Sequence, residues 1–174
     1  MKKKYTVFGL LFVLSLAADQ ATKIWARVSL KPRLDAITVI PNYFDFRYSE
    51  NPGSAFGLFR DMPGARYFLF AIGIVALGVV LSFLRRIGPE QLRVAGELGL
   101  LAGGALGNII DRMLYSRVTD FILWHVHSHE WPVFNVADAA LVVGVIGLLF
   151  DLREEKPTAA AEKAPDESAS KRRR

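Results

Sequence analysis

The segment AGGALGNIIDRMLYSRVTDFILWHVHSHEWPVFNVAD, residues 102–138, decides how this chain can fold. It combines apolar runs that are typical of membrane helices with three aspartates, Asp111, Asp120 and Asp138. An aspartate near the centre of an inserted helix costs roughly 2.5–3.5 kcal/mol even on lenient scales, so such residues are rare and serve a purpose. The sequence therefore predicts that Asp120 and Asp138 are brought together near a membrane surface.

The composition is that of a membrane protein with one compact domain. The chain has 174 residues, 52% of them hydrophobic, and its mean hydropathy of +0.25 is modest because a polar loop and a polar tail dilute the apolar runs. It contains no cysteine, which excludes disulfides, thiolate metal sites and cysteine nucleophiles. Much of the basic excess behind the net charge of +5 lies at Lys2–Lys4 and Lys171–Arg174, as at the cytoplasmic flanks of membrane helices, so we expect no nucleic-acid partner.

Apolar runs on both sides of this segment predict an α-helical integral membrane protein with four transmembrane helices and both termini in the cytoplasm. The clearest run is Tyr67–Leu84, which carries no charge and is followed by Arg85 and Arg86. Both termini and the short inner loop are basic, as the positive-inside rule requires. The membrane domain covers residues 1–152, and the polar tail, residues 153–174, is expected to be disordered and cytoplasmic. The predicted helices cover about residues 5–25, 66–84, 92–110 and 132–150.

The first apolar run has an alternative interpretation as a secretory signal, with Ser15-Leu16-Ala17 as a cleavage site. Three further predicted spans favour an uncleaved helix. Within it, Asp19 and Lys23 are spaced i, i+4 and can form an ion pair at the helix end. We expect this pair to be structural and not directly catalytic.

The segment between the first two helices, about residues 26–63, predicts a small extramembrane antiparallel β element. Ile37–Ile40 is β-branched, and Tyr43–Tyr48 alternates aromatic with charged residues, which is typical of a half-buried strand. The loop NPGSAFG, residues 51–57, follows. It is either a plain turn or, through Asn51 and Phe56, a substrate-contacting element, and the sequence favours neither.

Polar residues collect at the outer end of the third helix. Asn108, Asp111 and Arg112 are spaced i, i+3 and i+4 and share a face, which predicts a structural network that could also hold a polar head group. Five glycines between residues 96 and 107 make this helix thin, so neighbouring helices can approach it closely.

Three histidines, His125, His127 and His129, alternate after the segment that carries Asp120. On a strand they would share one face and could bind a metal. We favour an exposed loop, because the sequence offers no defined carboxylate or second shell for such a site. We therefore expect no metal and no cofactor.

The two aspartates can carry hydrolytic chemistry. Asp120 precedes the fourth helix and Asp138 lies one to two turns inside it, so a hairpin between helices 3 and 4 could bring them within a few ångströms. Two carboxylates at that distance share one proton. The ionised member can take a proton from a water while the protonated member polarises a carbonyl.

Five sequence blocks, in order, resemble those of the bacterial lipoprotein signal peptidase family, signal peptidase II. The resemblance covers residues 5–150 and implies a membrane aspartic endopeptidase of the bacterial inner membrane, with its site near the periplasmic face. Members remove the signal peptide from prolipoproteins, cutting on the amino side of a diacylglyceryl-modified cysteine, and are the target of the cyclic peptide globomycin. The blocks are DQATK (19–23), NPGSAFG (51–57), GNIIDR (107–112), VTDF (118–121) and FNVAD (134–138).

The resemblance also implies roles for residues in these blocks. Asp120 and Asp138 match the catalytic pair. The implied partners are diacylglyceryl-prolipoprotein substrates and membrane lipid, and we expect a monomer. Residues that match site-supporting or substrate-binding positions are Asp19, Lys23, Asn51, Gly53, Asn108, Asp111, Arg112 and Asn135.

Other classes of membrane protein remain as alternatives. A small proton-coupled transporter would carry its acidic groups at mid-membrane and show an internal repeat, which this sequence lacks. A non-enzymatic assembly protein would use the polar residues to join helices and would tolerate asparagine at positions 120 and 138. A metal-dependent hydrolase that uses the histidines would be sensitive to chelators.

Overall fold

The computed structural model describes residues 2–33, 35–53 and 64–154. Residues 54–57 of the predicted NPGSAFG loop, with Phe56, and residues 155–174 of the predicted tail lie outside the described residues. The elements are α1 (Lys2–Trp25), a π-helical turn (Ala26–Leu30), β1 (Ile37–Ile40), β2 (Phe44–Asn51), α2 (Ala65–Arg86), α3 (Leu92–Tyr115), β3 (Val118–Val126), β4 (His129–Glu130) and α4 (Val136–Glu154).

Helix α3 is the centre of the helical part and contacts each of the other three helices, α1 most extensively. Its glycines permit this approach, as predicted. A Cβ atom at Gly103 would collide with Ser15 of α1, and one at Gly104 would lie 2.5 Å from the carbonyl oxygen of Ala137 in α4. In the part of the chain that the structure describes, two helical segments, Lys2–Leu30 and Tyr67–Arg86, are long and apolar enough to cross a membrane.

The sheet has four antiparallel strands in the order β1-β2-β3-β4. The prediction placed the β element between helices 1 and 2, and this is incomplete, because β3 and β4 come from the connection between α3 and α4. Residues 118–121 at the start of β3 are all buried, so this strand lacks the alternation that identified β2. One face of the sheet packs on the π-helical turn, where Phe121 contacts Ala26 and Leu30.

Several predicted boundaries are wrong. The turn Ala26–Leu30 is helical and not part of a loop, since it continues α1 without a break. Helix α3 runs one turn beyond residue 110, to Tyr115, and α4 continues to Glu154. The largest difference is at the start of α4, which begins at Val136 and not at residue 132. Phe134 instead pairs with Ile122 as an extended bridge beside β3.

The three histidines lie in the β3–β4 hairpin and not on one face of a strand or in an irregular loop. His125 is in β3, His129 is in β4, and His127 adopts a left-handed conformation with φ of 54° in the turn between them. Because the chain reverses there, the alternation in sequence does not align the imidazoles. No group of three metal-ligating side chains occurs among the residues that the structure describes.

Candidate active site

Asp120 lies in β3 and is buried, with 3% of its surface exposed. Both carboxylate oxygens accept hydrogen bonds from side-chain amides. The Nδ2 atom of Asn135 is 2.7 Å from Oδ1, and the Nδ2 atom of Asn51 in β2 is 3.2 Å from Oδ2. Burial, followed by the negative charge of Asp138, raises the pKa of Asp120 from its usual 3.8 to about 7.

Asp138 lies in the first turn of α4 and is partly exposed. Its carboxylate accepts a hydrogen bond from the backbone N–H of Asn135 at 3.2 Å, and its own N–H donates to Oδ1 of Asn135 at 3.0 Å. This reciprocal pair is a capping box, which explains why the helix begins at Val136. The other carboxylate oxygen of Asp138 accepts from Nδ2 of Asn108 at 2.8 Å.

Asn135 connects the two carboxylates. Its side-chain amide donates to Asp120, while its backbone N–H donates to Asp138. Each of the four carboxylate oxygens thus accepts a hydrogen bond from an asparagine. The structure therefore brings Asp120 and Asp138 to the same residue, from a strand on one side and a helix N-terminus on the other.

A buried lysine orients one of these asparagines. Lys23 is fully buried, and its Nζ atom lies 2.8 Å from Oδ1 of Asn108 and 2.9 Å from Oδ2 of Asp19. A lysine can only donate, so Oδ1 of Asn108 faces Lys23 and Nδ2 faces Asp138. The predicted Asp19–Lys23 ion pair is present.

Asp19 and Asp111 fix the two elements that carry the aspartates. Oδ1 of Asp19 accepts from the backbone N–H of Ala137 at 2.9 Å and so holds the first turn of α4. Oδ2 of Asp111 accepts from the backbone N–H of Thr119 at 2.8 Å and holds β3 beside Asp120. Both carboxylates are completely buried.

Arg112 fixes the end of β2, where Asn51 lies. Its guanidinium donates to the carbonyl oxygen of Gly53 at 3.1 Å and to that of Asn108 at 3.3 Å. Asn51 also accepts from the N–H of Gly53 at 3.0 Å, which tightens the turn. All ten predicted site residues thus belong to one connected group that includes Asp120 and Asp138.

Arg27 also belongs to this group, although it is not among the predicted site residues. Its guanidinium binds Oδ1 of Asp111 and donates to the hydroxyl of Thr119 at 3.0 Å. The signal was present, because Arg27 continues the i, i+4 spacing of Asp19 and Lys23 on the same helical face. The predicted first helix ends at residue 25, however, so Arg27 falls in the predicted outer loop.

The fold and this group define a class: a helical membrane enzyme whose candidate catalytic groups are two aspartates beside a small sheet. The family model described as "Signal peptidase (SPase) II" matches residues 11–153. The chain belongs to the signal peptidase II family of aspartic peptidases. Membership of this family favours a peptidase over a transporter or an assembly protein.

Named proteins and solved structures that are similar to this chain are consistent with this family. The lipoprotein signal peptidase of Xylella fastidiosa is 40% identical, covering 87% of this chain and 93% of the relative. That of Geobacter metallireducens is 37% identical, covering 90% and 96%. A bacterial membrane enzyme solved by the in meso method at 2.3 Å resolution superposes with a TM-score of 0.77 at 32% identity, covering 91% of this chain and 92% of that chain. The chain is therefore a membrane protein.

Proposed function

We propose that this chain removes the signal peptide from diacylglyceryl-modified bacterial prolipoproteins, cutting on the amino side of the lipidated cysteine, with Asp120 and Asp138 as the catalytic pair. The observation that supports this most directly is the shared contact with Asn135, which holds both carboxylates at one place. Family membership supports the substrate class, since the named relatives are lipoprotein signal peptidases.

The pair acts on a water and on the scissile carbonyl. The ionised carboxylate takes a proton from the water, whose oxygen then attacks the carbonyl carbon, while the protonated carboxyl donates to the carbonyl oxygen. The tetrahedral intermediate collapses when the C–N bond breaks and the leaving nitrogen takes a proton from the pair. With a pKa of about 7, Asp120 can hold the shared proton of the pair up to near neutral pH.

The asparagines are hydrogen-bond donors to the pair. Each amide donates to a carboxylate oxygen, which stabilises the ionised form without adding a competing charge. Asn135 and Asn108 are buried, so their orientation is set before substrate binds. Such preorganised dipoles need no rearrangement as charge moves during the reaction.

All four helices span the inner membrane in this proposal, with both termini cytoplasmic and the site near the periplasmic face. The basic ends of the helices support this orientation. Lys4 donates to the carbonyl oxygens of Leu84 and Ile87 at 3.0 and 2.7 Å, so the start of α1 lies beside the end of α2. Arg93 at the start of α3 pairs with Asp151 near the end of α4 at 3.2 Å. The cations of these ends lie opposite the sheet, as the positive-inside rule expects of a cytoplasmic side.

The substrate reaches the pair sideways from the bilayer, with its signal peptide along the sheet and its lipid in the membrane. Asn51 and Gly53 lie where β2 ends beside Asp120, which supports a role for this segment in contacting substrate. The enzyme acts as a monomer and uses no cofactor. Membrane lipid surrounds its helices.

The direct test uses purified full-length protein in detergent with one prolipoprotein in two forms, with and without the diacylglyceryl group on cysteine. We expect cleavage of the lipidated form, a new amino terminus at the modified cysteine by mass spectrometry, and no effect of a chelator. Cleavage of both forms at equal rates would remove the proposed substrate class. Loss of activity with chelator would favour metal-dependent hydrolysis instead.

A further inference from the structure

A small cationic cavity lies where α1 and its π-helical turn meet the sheet; it shares Arg27 and Thr119 with the candidate active site but is lined by neither Asp120 nor Asp138. Its volume is about 100 Å³, several times the space that one buried water needs. Lys31 and Arg117 line it, together with the rings of Tyr48 and Tyr115. We propose that this cavity binds the phosphate of an anionic phospholipid head group through Lys31 and Arg117. The site is independent of the catalytic pair and of which substrate is cut.

The depth of the cavity along α1 matches the level of lipid phosphates. The helical segment Lys2–Leu30 has 29 residues. At 1.5 Å per residue it is about 43 Å long, which corresponds to the hydrocarbon core together with both head-group layers. Arg27 and Lys31, at its far end, therefore lie in a head-group layer. Tyrosines are typical of this interfacial level, and Tyr115 is half exposed there.

Lys31 and Arg117 both contact the carboxylate of Glu50, each through a different oxygen. Nζ of Lys31 is 2.8 Å from Oε1 of Glu50, and Nη1 of Arg117 is 3.0 Å from Oε2. Hydrogen bonds from Lys31 and Tyr48 lower the pKa of Glu50, so this carboxylate is ionised at neutral pH. A phosphodiester presents two charged oxygens in the same way, and it can compete with Glu50 for these donors.

The cations of the cavity outweigh its carboxylates. Arg27 lies 4.1 Å from the centroid of the Tyr115 ring, which fixes the wall of the cavity by a cation–π contact. Three cations, Arg27, Lys31 and Arg117, face the two carboxylates of Asp111 and Glu50. Lys31 and Arg117 each make one hydrogen bond to Glu50. A lysine side chain has three N–H donors and an arginine side chain has five. Among the residues that the structure describes, the cavity therefore has a net positive charge and N–H donors beyond those that contact Glu50.

The test measures lipid binding by native mass spectrometry of the full chain in detergent. The probes are phosphatidylglycerol, diacylglycerol, which lacks the phosphate, and inorganic phosphate, which lacks the lipid. We expect the wild type to bind phosphatidylglycerol more tightly than either of the other probes. The double variant Lys31→Gln/Arg117→Gln should weaken that binding about tenfold or more, as the loss of charge-assisted hydrogen bonds implies. The control Arg33→Gln/Arg47→Gln removes the same charge elsewhere in the outer segment. Its affinity for phosphatidylglycerol should stay within about twofold of the wild-type value.

Glu50→Gln separates a lipid site from a purely structural ion cluster. Removing the competing carboxylate should tighten phosphatidylglycerol binding, by about threefold or more, if the cavity binds an anion. A structural cluster predicts unchanged or weaker binding. The proposal is overturned if the control double variant loses binding equally, if diacylglycerol binds as tightly as phosphatidylglycerol, or if inorganic phosphate does so, which would indicate a free-anion site. Thermal unfolding of each variant establishes that it is folded, and Glu50→Gln keeps the test decisive if the double variant is not.

Discussion

The side-chain amide of Asn135 donates to the carboxylate of Asp120 at 2.7 Å, and the same residue caps the helix that carries Asp138. One asparagine thereby ties a strand to a helix N-terminus. Asn135 therefore contacts both aspartates directly, which the sequence separation between them does not indicate. The backbone N–H groups at the start of α4 have no partner within the helix, and their hydrogen bonds help to build the site.

Asn135→Ala should lower kcat for prolipoprotein cleavage by about 10–100-fold, because a hydrogen bond to a charged group contributes about 1.5–3 kcal/mol. Asn135→Ser keeps an oxygen for the helix cap but cannot reach Asp120. We expect it to lose activity while its Tm stays closer to that of the wild type. Steady-state kinetics and thermal unfolding in detergent check both. A kcat within about twofold of wild type for Asn135→Ala would contradict the role given to this contact.

The contribution of Asp120 to the stability of the folded protein should fall as pH rises from about 4 to about 7. The pKa of Asp120 is raised in the folded state to about 7 against a usual 3.8, so in this window the folded protein binds a proton that the unfolded chain has lost. The contribution is fully present below the unfolded value and is lost as pH rises through the folded value. Its slope is at most about 1.4 kcal/mol per pH unit. Unfolding of wild type and Asp120→Asn between pH 4 and 8 tests this, since the variant should show a flatter profile. Parallel profiles would show that Asp120 does not titrate in this range.

The sequence predicted those parts of the fold in which a pattern has one buried face. Alternating Phe44, Phe46 and Tyr48 identified β2, and the uncharged run after Tyr67 identified α2. The strand with Asp120 was not recognised, because it is buried on both faces where it begins and a buried strand has no alternation. The start of α4 was misplaced because Trp131 and Phe134 are apolar. The Asn135–Asp138 capping box was visible in the sequence and would have given Val136.

The sequence blocks indicated which residues belong to the candidate site, but they did not indicate which of these residues contact one another. Spacing on one helix predicted the Asp19–Lys23 pair. It could not predict that Lys23 reaches Asn108, or that Arg112 reaches Gly53, because these contacts depend on how α1, α3 and β2 pack in three dimensions. Long-range contacts of this kind are set by tertiary packing and leave no local pattern.

Lys23→Met should destabilise the folded protein by about 3–5 kcal/mol. It leaves Asp19 and Asp111 buried without this cation, and breaking one partner of a buried ion pair is costly. Lys31→Met is the matched control, because Lys31 is exposed and its pair with Glu50 should contribute less than about 1 kcal/mol. Thermal unfolding of both variants in lipid-free detergent gives the comparison. If both variants lost the same free energy of unfolding, burial would not be what makes the ion pairs of Lys23 important for stability.

Gly103→Ala should destabilise the contact between α1 and α3 by about 1–3 kcal/mol. The added methyl would meet Ser15 and would lie 2.7 Å from the carbonyl oxygen of Phe12, a backbone atom that cannot move without shifting the helix. Gly78→Ala in α2 is the control, since nothing lies within 4 Å of a Cβ there, and alanine favours the helix. Thermal unfolding should separate the two. A neutral Gly103→Ala would show that α1 and α3 are less closely packed than described.

The central claim is that Asp120 and Asp138 together carry the reaction. The most direct test is the single-turnover rate of cleavage of a diacylglyceryl-modified prolipoprotein by wild type, Asp120→Asn and Asp138→Asn, with unfolding measured on the same samples. Asparagine keeps the size of each aspartate and one of its two acceptor oxygens, but its amide nitrogen only donates and it cannot exchange the proton. We expect both variants to stay folded and to lose at least about 10²–10⁴-fold in rate, as removal of a general acid or base implies. Substantial cleavage by either folded variant would contradict the claim.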